Sequence, residues 1–182
     1  MKKKILIYGA GAIGRGYVPW LFDQEKYSLS YVENNKNLRD LMNKHKSFTS
    51  FKTIGKKYES LICEFDNCFA LGEEDPRNYD GIITAVGPRQ VLPLMRSFED
   101  VNVPVLLFEN DSSLSEKLKR LTGKDNFYFG VPDVITSNTA PQKKLQGNPL
   151  SIITEDGICF AEAGASEIGG LIKYVSSEEL QK

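Results

Sequence analysis

Three glycines, Gly9, Gly11 and Gly14, stand in the spacing G-x-G-x-x-G directly after the apolar run Ile5-Leu6-Ile7-Tyr8. Between a buried strand and a helix, that spacing suits a dinucleotide. Gly9 permits the tight turn, Gly11 lets a pyrophosphate reach the backbone, and Gly14 lets the helix pack close to the sheet. A helix opening at Ala12 and Ile13 would offer the anion its first-turn N–H groups and its positive dipole end. Arg15 is unfavourable there on dipole grounds alone. A bound pyrophosphate would make it favourable, and the side chain could equally point to solvent.

Two further elements support the loop. Glu33 lies nineteen residues after Gly14, at the carboxyl end of a second strand, "LSYVE". A carboxylate there accepts hydrogen bonds from an adenosine ribose and repels a 2′-phosphate, so NAD is favoured over NADP, and one nearby lysine, Lys36, does not reverse this. "TAVGP" then places Ala85, Val86 and Gly87 at the end of another strand, where ligand contact is expected across a switch point. Tight strand-to-helix turns without a ligand, or FAD or S-adenosylmethionine in a similar pocket, are the alternatives these residues leave open.

Hydride transfer from an alcohol also needs a group that takes the hydroxyl proton and polar groups that orient the oxygen. Asn110, within Glu109-Asn110-Asp111 after "VLLF", and Asp133, after "FYFGVP", both end strands and should open onto the same crevice. Each has a purely structural reading too: Asn110-Asp111 as a helix cap before "SSLSEKLKRL", and Asp133 as a turn after Pro132. His45, the only histidine, reads as a solvated helix-end residue, so histidine bases and histidine metal ligands have almost nothing to draw on. Cys63, Cys68 and Cys159 show no C-x-x-C spacing, which suggests neither a disulfide framework nor a zinc site and makes a reducing cytoplasm the default.

The elements that must position these residues alternate. Strands are expected at Ile5–Tyr8, Leu29–Glu33, "YDGIITAVG", "VPVLLFEN" and "NFYFGV". Helices are expected from Ala12, interrupted at Pro19, then over "NLRDLMNKHK", from Pro88 through "RQVLPLMRSF", and over "DSSLSEKLKRLTG". In the last of these, Ser113 and Glu116 fit a capping box, Leu114, Leu118 and Leu121 form the apolar stripe, and Gly123 can stop it. Residues 48–71 read as an antiparallel excursion outside the wound core. "PLSIITEDGICFAEAG" reads as an edge hairpin with Asp156-Gly157 at its turn. "SSEEL" resembles the cap and first turn of a helix. The class is α/β: a Rossmann-like, doubly wound, mainly parallel sheet with antiparallel edge strands, in one domain over 1–182.

Composition agrees with a globular domain: 182 residues, 41% hydrophobic, 26% charged, net charge −1. Such a balance gives no global bias toward nucleic acid or anionic lipid. The lysines at the start precede too short an apolar run for a signal peptide or a membrane span.

Taken in order, "GAGAIGRG", "TAVGP", "FEN" and "GVPDVIT" resemble the cofactor domain of the polyol-specific long-chain dehydrogenases, the family of the mannitol-1-phosphate 5-dehydrogenases, mannitol 2-dehydrogenases and hexuronate reductases. The resemblance is nearest to the mannitol-1-phosphate branch and loosest over 48–71. It implies that Asn110 lies near the nicotinamide and the substrate oxygen, and that Asp133 belongs to the substrate pocket. Val134 stands where the family usually has arginine. The family's proton-transferring lysine belongs to a K-x-x-x-x-N-x-x-H motif in a second, helical domain, and these 182 residues hold no such motif.

The expectation is therefore an NAD-binding domain of a polyol-phosphate dehydrogenase that turns over little alone, its sugar-alcohol phosphate being held mainly by an absent domain. A stand-alone NAD sensor is the alternative. "ICFAEAGASEIGGLIKYV" is the expected exposed patch, through which the isolated chain would self-associate.

Overall fold

A computed structural model describes residues 1–134, 136–137 and 148–181. Strand β1 (Lys3–Tyr8) carries the apolar run into the centre of the main sheet. Ile5 and Ile7 face one layer, with Val18, Leu21, Tyr31 and Met42. Leu6 and Tyr8 face the other, with Ile82, Val91, Phe98 and Phe127. Both faces are thus covered, as a parallel strand requires.

Along the chain follow β2 (Tyr27–Val32), helix α1 (Lys36–His45), β3 (Ser47–Ile54), β4 (Lys57–Glu64) and β5 (Cys68–Phe69). Next come β6 (Gly81–Thr84), α2 (Pro88–Val91), β7 (Val105–Leu107), α3 (Leu114–Thr122) and β8 (Phe127–Pro132). The remaining strands are β9 (Thr136–Ser137), β10 (Ile152–Glu155), β11 (Cys159–Glu162) and β12 (Ile172–Val175). The eight-stranded sheet runs β12-β11-β8-β7-β6-β1-β2-β5. From β5 to β8 every pairing is parallel. Taken in chain order, those six strands lie 3-2-1-4-5-6, the doubly wound Rossmann arrangement, with its switch point between β1 and β6.

Five local expectations are corrected. The segment after the glycine loop is not an α-helix but a π-helical turn, Ala12–Tyr17, followed by a 3-10 turn, Val18–Leu21. Gly14, Gly16 and Pro19 together leave too little helix propensity for a regular ladder. Within 48–71 only β3 and β4 form the antiparallel hairpin, whereas β5 pairs in parallel with β2 and belongs to the wound core.

Asp156-Gly157 does not close a hairpin. β10 joins a second sheet, β4-β3-β10-β9, while β11 pairs with β8 in the main one. A Cβ on Gly157 would lie 2.2 Å from the Asp133 carbonyl oxygen, so this glycine lets the chain cross between the sheets. At α3 the N-cap is Ser113, which makes no side-chain cap bond; its own N–H donates to the Asp111 carboxylate at 3.0 Å. Leu121 leaves the apolar stripe and is 55% exposed.

The second sheet lies over the helical turns. A Cβ on Gly16 would meet Ile152 of β10 at 3.4 Å, and Ser50 of β3 donates to the Gly16 carbonyl at 2.5 Å. β11 and β12 continue the main sheet, burying Cys159, Ala161, Ala165 and Ile168. Leu171 and Ile158 are the large apolar side chains of that segment that stay exposed. Among the described residues no helix is long and apolar enough to cross a membrane.

Candidate functional site: a cleft at the switch point of the main sheet

A cleft of about 300 Å³ opens at the carboxyl ends of β1, β2 and β6. Gly9, Gly11, Glu33, Ala85 and Val86 are among the residues that line it. The three glycines differ in what requires them. Gly9 has φ +97°, and a Cβ there would sit 2.4 Å from the Ala85 carbonyl oxygen. On Gly14 it would sit 1.9 Å from the Gly9 carbonyl oxygen. Those two glycines serve the fold. A Cβ on Gly11 would meet no protein atom within 4 Å. The bare backbone at Gly11 therefore faces open space on the cleft, where a ligand could approach it.

Glu33 is tied to the same loop. Its Oε2 accepts the Ala10 N–H at 2.9 Å and its Oε1 accepts the Asn35 N–H at 2.8 Å. An ionised carboxylate offers about four lone-pair positions, so about two remain open. Arg39, on α1, donates to the Glu33 carbonyl at 2.7 Å and holds the strand end in place. Lys36 forms an ion pair with Asp40 at 2.5 Å. Tyr8 contributes to the floor of the cleft, and its hydroxyl donates to Glu74 at 3.0 Å. Burial, seconded by Glu74, pushes that phenol far above its ordinary range.

Arg15 corrects both sequence readings, solvated side chain and pyrophosphate ligand. It is 8% exposed, and its Nε donates to the Ala10 carbonyl at 2.8 Å, with Nη1 donating to the Leu150 carbonyl. Its guanidinium carbon lies 5.9 Å from the centre of the Phe48 ring. Burial pushes its pKa down from the usual arginine value. The side chain braces the glycine loop from behind, between the two sheets. Ile13 is half-buried against the core. Neither it nor Ala12 lines the cleft.

Glu109, the first residue of the Glu109-Asn110-Asp111 candidate group, has a role that the sequence did not single out. It is 5% exposed, and its two oxygens accept the N–H groups of Val86 at 3.0 Å and Gly87 at 2.8 Å. Gly87 has φ +91°, in the region that favours glycine. Burial raises the Glu109 pKa, opposed by the Val86 N–H, the Thr84 hydroxyl and the Gly87 N–H. The signal available in sequence was an acid inside an apolar strand end.

Asn110 is exposed and borders a second, wider cleft of about 710 Å³ with Ser112, Phe129 and Leu180. Asp133 is exposed just beyond β8, its N–H donating to the Ile158 carbonyl at 3.0 Å. It lines neither of these two clefts. The three cysteines are free and buried, and His45 is exposed at the end of α1. Among the described residues no cluster suited to a metal ion is present.

Comparison with known proteins finds sequence relatives over much of the chain. The chain is 27% identical over 177 residues to a mannitol-1-phosphate 5-dehydrogenase of Mycoplasma pneumoniae, covering 92% of this chain and 48% of that one. It is 29% identical over 141 residues to the mannitol-1-phosphate 5-dehydrogenase of Mycoplasmopsis pulmonis, covering 71% and 38%. The chain is similar in sequence to mannitol-1-phosphate 5-dehydrogenases.

It spans about half or less of the length of these two mannitol-1-phosphate 5-dehydrogenases. No family model matches the chain. Among solved structures, D-mandelate dehydrogenase with NADH and anilino(oxo)acetate superposes with a TM-score of 0.66 at 16% identity, over 96% of this chain and 57% of that one. The 2-dehydropantoate 2-reductase of Methylococcus capsulatus gives 0.65 at 15% identity, over 95% and 56%. These two likenesses concern the fold alone, which is Rossmann-like.

Proposed function

We propose that this chain binds NAD(H) in the Gly11–Glu33 cleft, as the cofactor-binding part of a polyol-phosphate dehydrogenase. In the complete enzyme, mannitol 1-phosphate and NAD would give fructose 6-phosphate and NADH. The observation that carries the reading is the open backbone at Gly11 beside a Glu33 carboxylate with acceptor capacity to spare. The first suits a pyrophosphate and the second the hydroxyls of an adenosine ribose without a 2′-phosphate. The kinship with mannitol-1-phosphate 5-dehydrogenases supports the choice of substrate.

In this reading Asn110 orients the substrate oxygen and Asp133 supports the substrate pocket. The proton passes to a lysine in the part of the relatives that this chain does not span. Calorimetric titration of the chain with NADH and then NADPH tests the assignment. Saturable binding that prefers NADH is expected. Absence of binding overturns the cofactor assignment, and preference for NADPH overturns the role of Glu33. A robust rate of mannitol 1-phosphate oxidation by the chain alone overturns the division of labour.

A further inference from the structure

Glu109 is a buried carboxylate with no ion-pair partner among the described residues. Two backbone N–H groups bond its two oxygens without neutralising its charge. An uncompensated buried charge is costly, and a fold that only needed to anchor the Val86-Gly87 loop could use a neutral acceptor. The position of the charge suggests why it is retained. A dinucleotide lies across the switch point with one mononucleotide over each half of the sheet. With the adenosine ribose at Glu33 on β2, the nicotinamide half falls over β6, β7 and β8. Glu109 lies two residues past the end of β7 and holds the loop after β6. Oxidised nicotinamide is a cation and reduced nicotinamide is neutral, so a fixed negative charge in a water-poor setting acts on one and not the other.

We infer that the Glu109 carboxylate sets the redox preference of the site, favouring the oxidised pyridinium over the reduced ring. The inference rests on the NAD(H) reading above and deepens it. Glu109 acts as a positioning residue for loop and charge and exchanges no proton with substrate.

The test measures dissociation constants of NAD+, NADH and ADP-ribose for the full chain, its Glu109→Gln variant and its Glu109→Asp variant, at about pH 8 so that a carboxyl group is ionised. Glu109→Gln is expected to weaken NAD+ about tenfold more than NADH. That ratio raises the potential of the bound couple by about 30 mV. Glu109→Asp keeps the charge and should weaken both nucleotides alike. Equal losses of NAD+ and NADH in Glu109→Gln overturn the inference and leave Glu109 a loop anchor. Should that variant fail to fold, the unmodified chain still decides, because NAD+ bound no more tightly than ADP-ribose overturns it too. No binding of any of the three nucleotides would overturn the NAD(H) reading itself, and the inference with it.

Discussion

The Ala10 N–H donates to Glu33 Oε2 at 2.9 Å, so the acid at the end of β2 and the glycine loop after β1 form one unit. A change at Glu33 should therefore act on loop geometry as well as on the ribose. Glu33→Gln removes the charge that repels a 2′-phosphate and exchanges acceptors for donors. Hydrogen bonds to charged groups contribute about 1.5–3 kcal/mol, which predicts a loss of NADH affinity of about tenfold or more. Binding of NADPH should suffer less, narrowing the discrimination, because Arg39 already lies against the Glu33 and Asn34 carbonyls. Parallel titrations with the two nucleotides read both effects.

Gly11 and Gly14 should separate binding from folding. Gly14→Ala drives a Cβ into the Gly9 carbonyl oxygen. Overpacking of this kind costs about 1–3 kcal/mol, enough to lower the melting temperature by several degrees. Gly11→Val places its side chain in open space and should leave the melting temperature nearly unchanged while abolishing most NADH binding. Thermal melts and titrations on both variants give the comparison. A Gly11 variant with full affinity would show that no ligand uses that backbone.

Most of the wound core was legible in the sequence because its strands are short runs rich in apolar residues between turn residues, whereas β5, only two residues long, was not. Ile5–Tyr8 and Gly81–Thr84 needed nothing else to be placed. The second sheet was not legible, because its central pair joins β3 to β10 across about a hundred residues. Asp156-Gly157 has the composition of a hairpin turn, yet β10 finds a parallel partner in β3 and β11 an antiparallel one in β8. Local turn chemistry does not say which strands a turn connects. Among candidate site residues, Gly9, Gly11, Glu33, Ala85 and Val86 share one cleft. Arg15 misled for a physical reason: a charge beside a glycine loop suggests solvent or anion, and its burial depends on the carbonyl of Leu150, distant in sequence.

Arg15 gives a prediction about stability. Arg15→Met leaves the Ala10 and Leu150 carbonyls without these donors in a buried setting, at about 1–3 kcal/mol for an unsatisfied group. Urea unfolding should show that loss with little change in the denaturant slope. Arg15→Lys should recover only part of it, because an ammonium cannot reproduce the guanidinium fork that reaches both carbonyls. Full recovery by lysine would mean that charge, and not geometry, is what the site uses.

The buried thiols predict an alkaline limit to stability. Burial pushes Cys63, Cys68 and Cys159 each up to about 12. An exposed thiol in the unfolded chain titrates near about 8.5. Above that value the unfolded state binds fewer protons than the folded state, so stability falls as pH rises, with the loss continuing until the folded-state value is reached. Chemical unfolding should thus show a flat stability just below about pH 8.5 and a steady decline above it. Replacing Cys63, whose side chain is buried opposite Phe48 on β3, by alanine should flatten that decline while lowering stability at neutral pH by the packing loss. The same burial protects the thiols chemically, since the thiolate is the reactive form. In the folded chain all three should resist alkylation at about pH 8 and become reactive together on unfolding in urea. Rapid labelling of any one of them without denaturant would show that its part of the core opens locally.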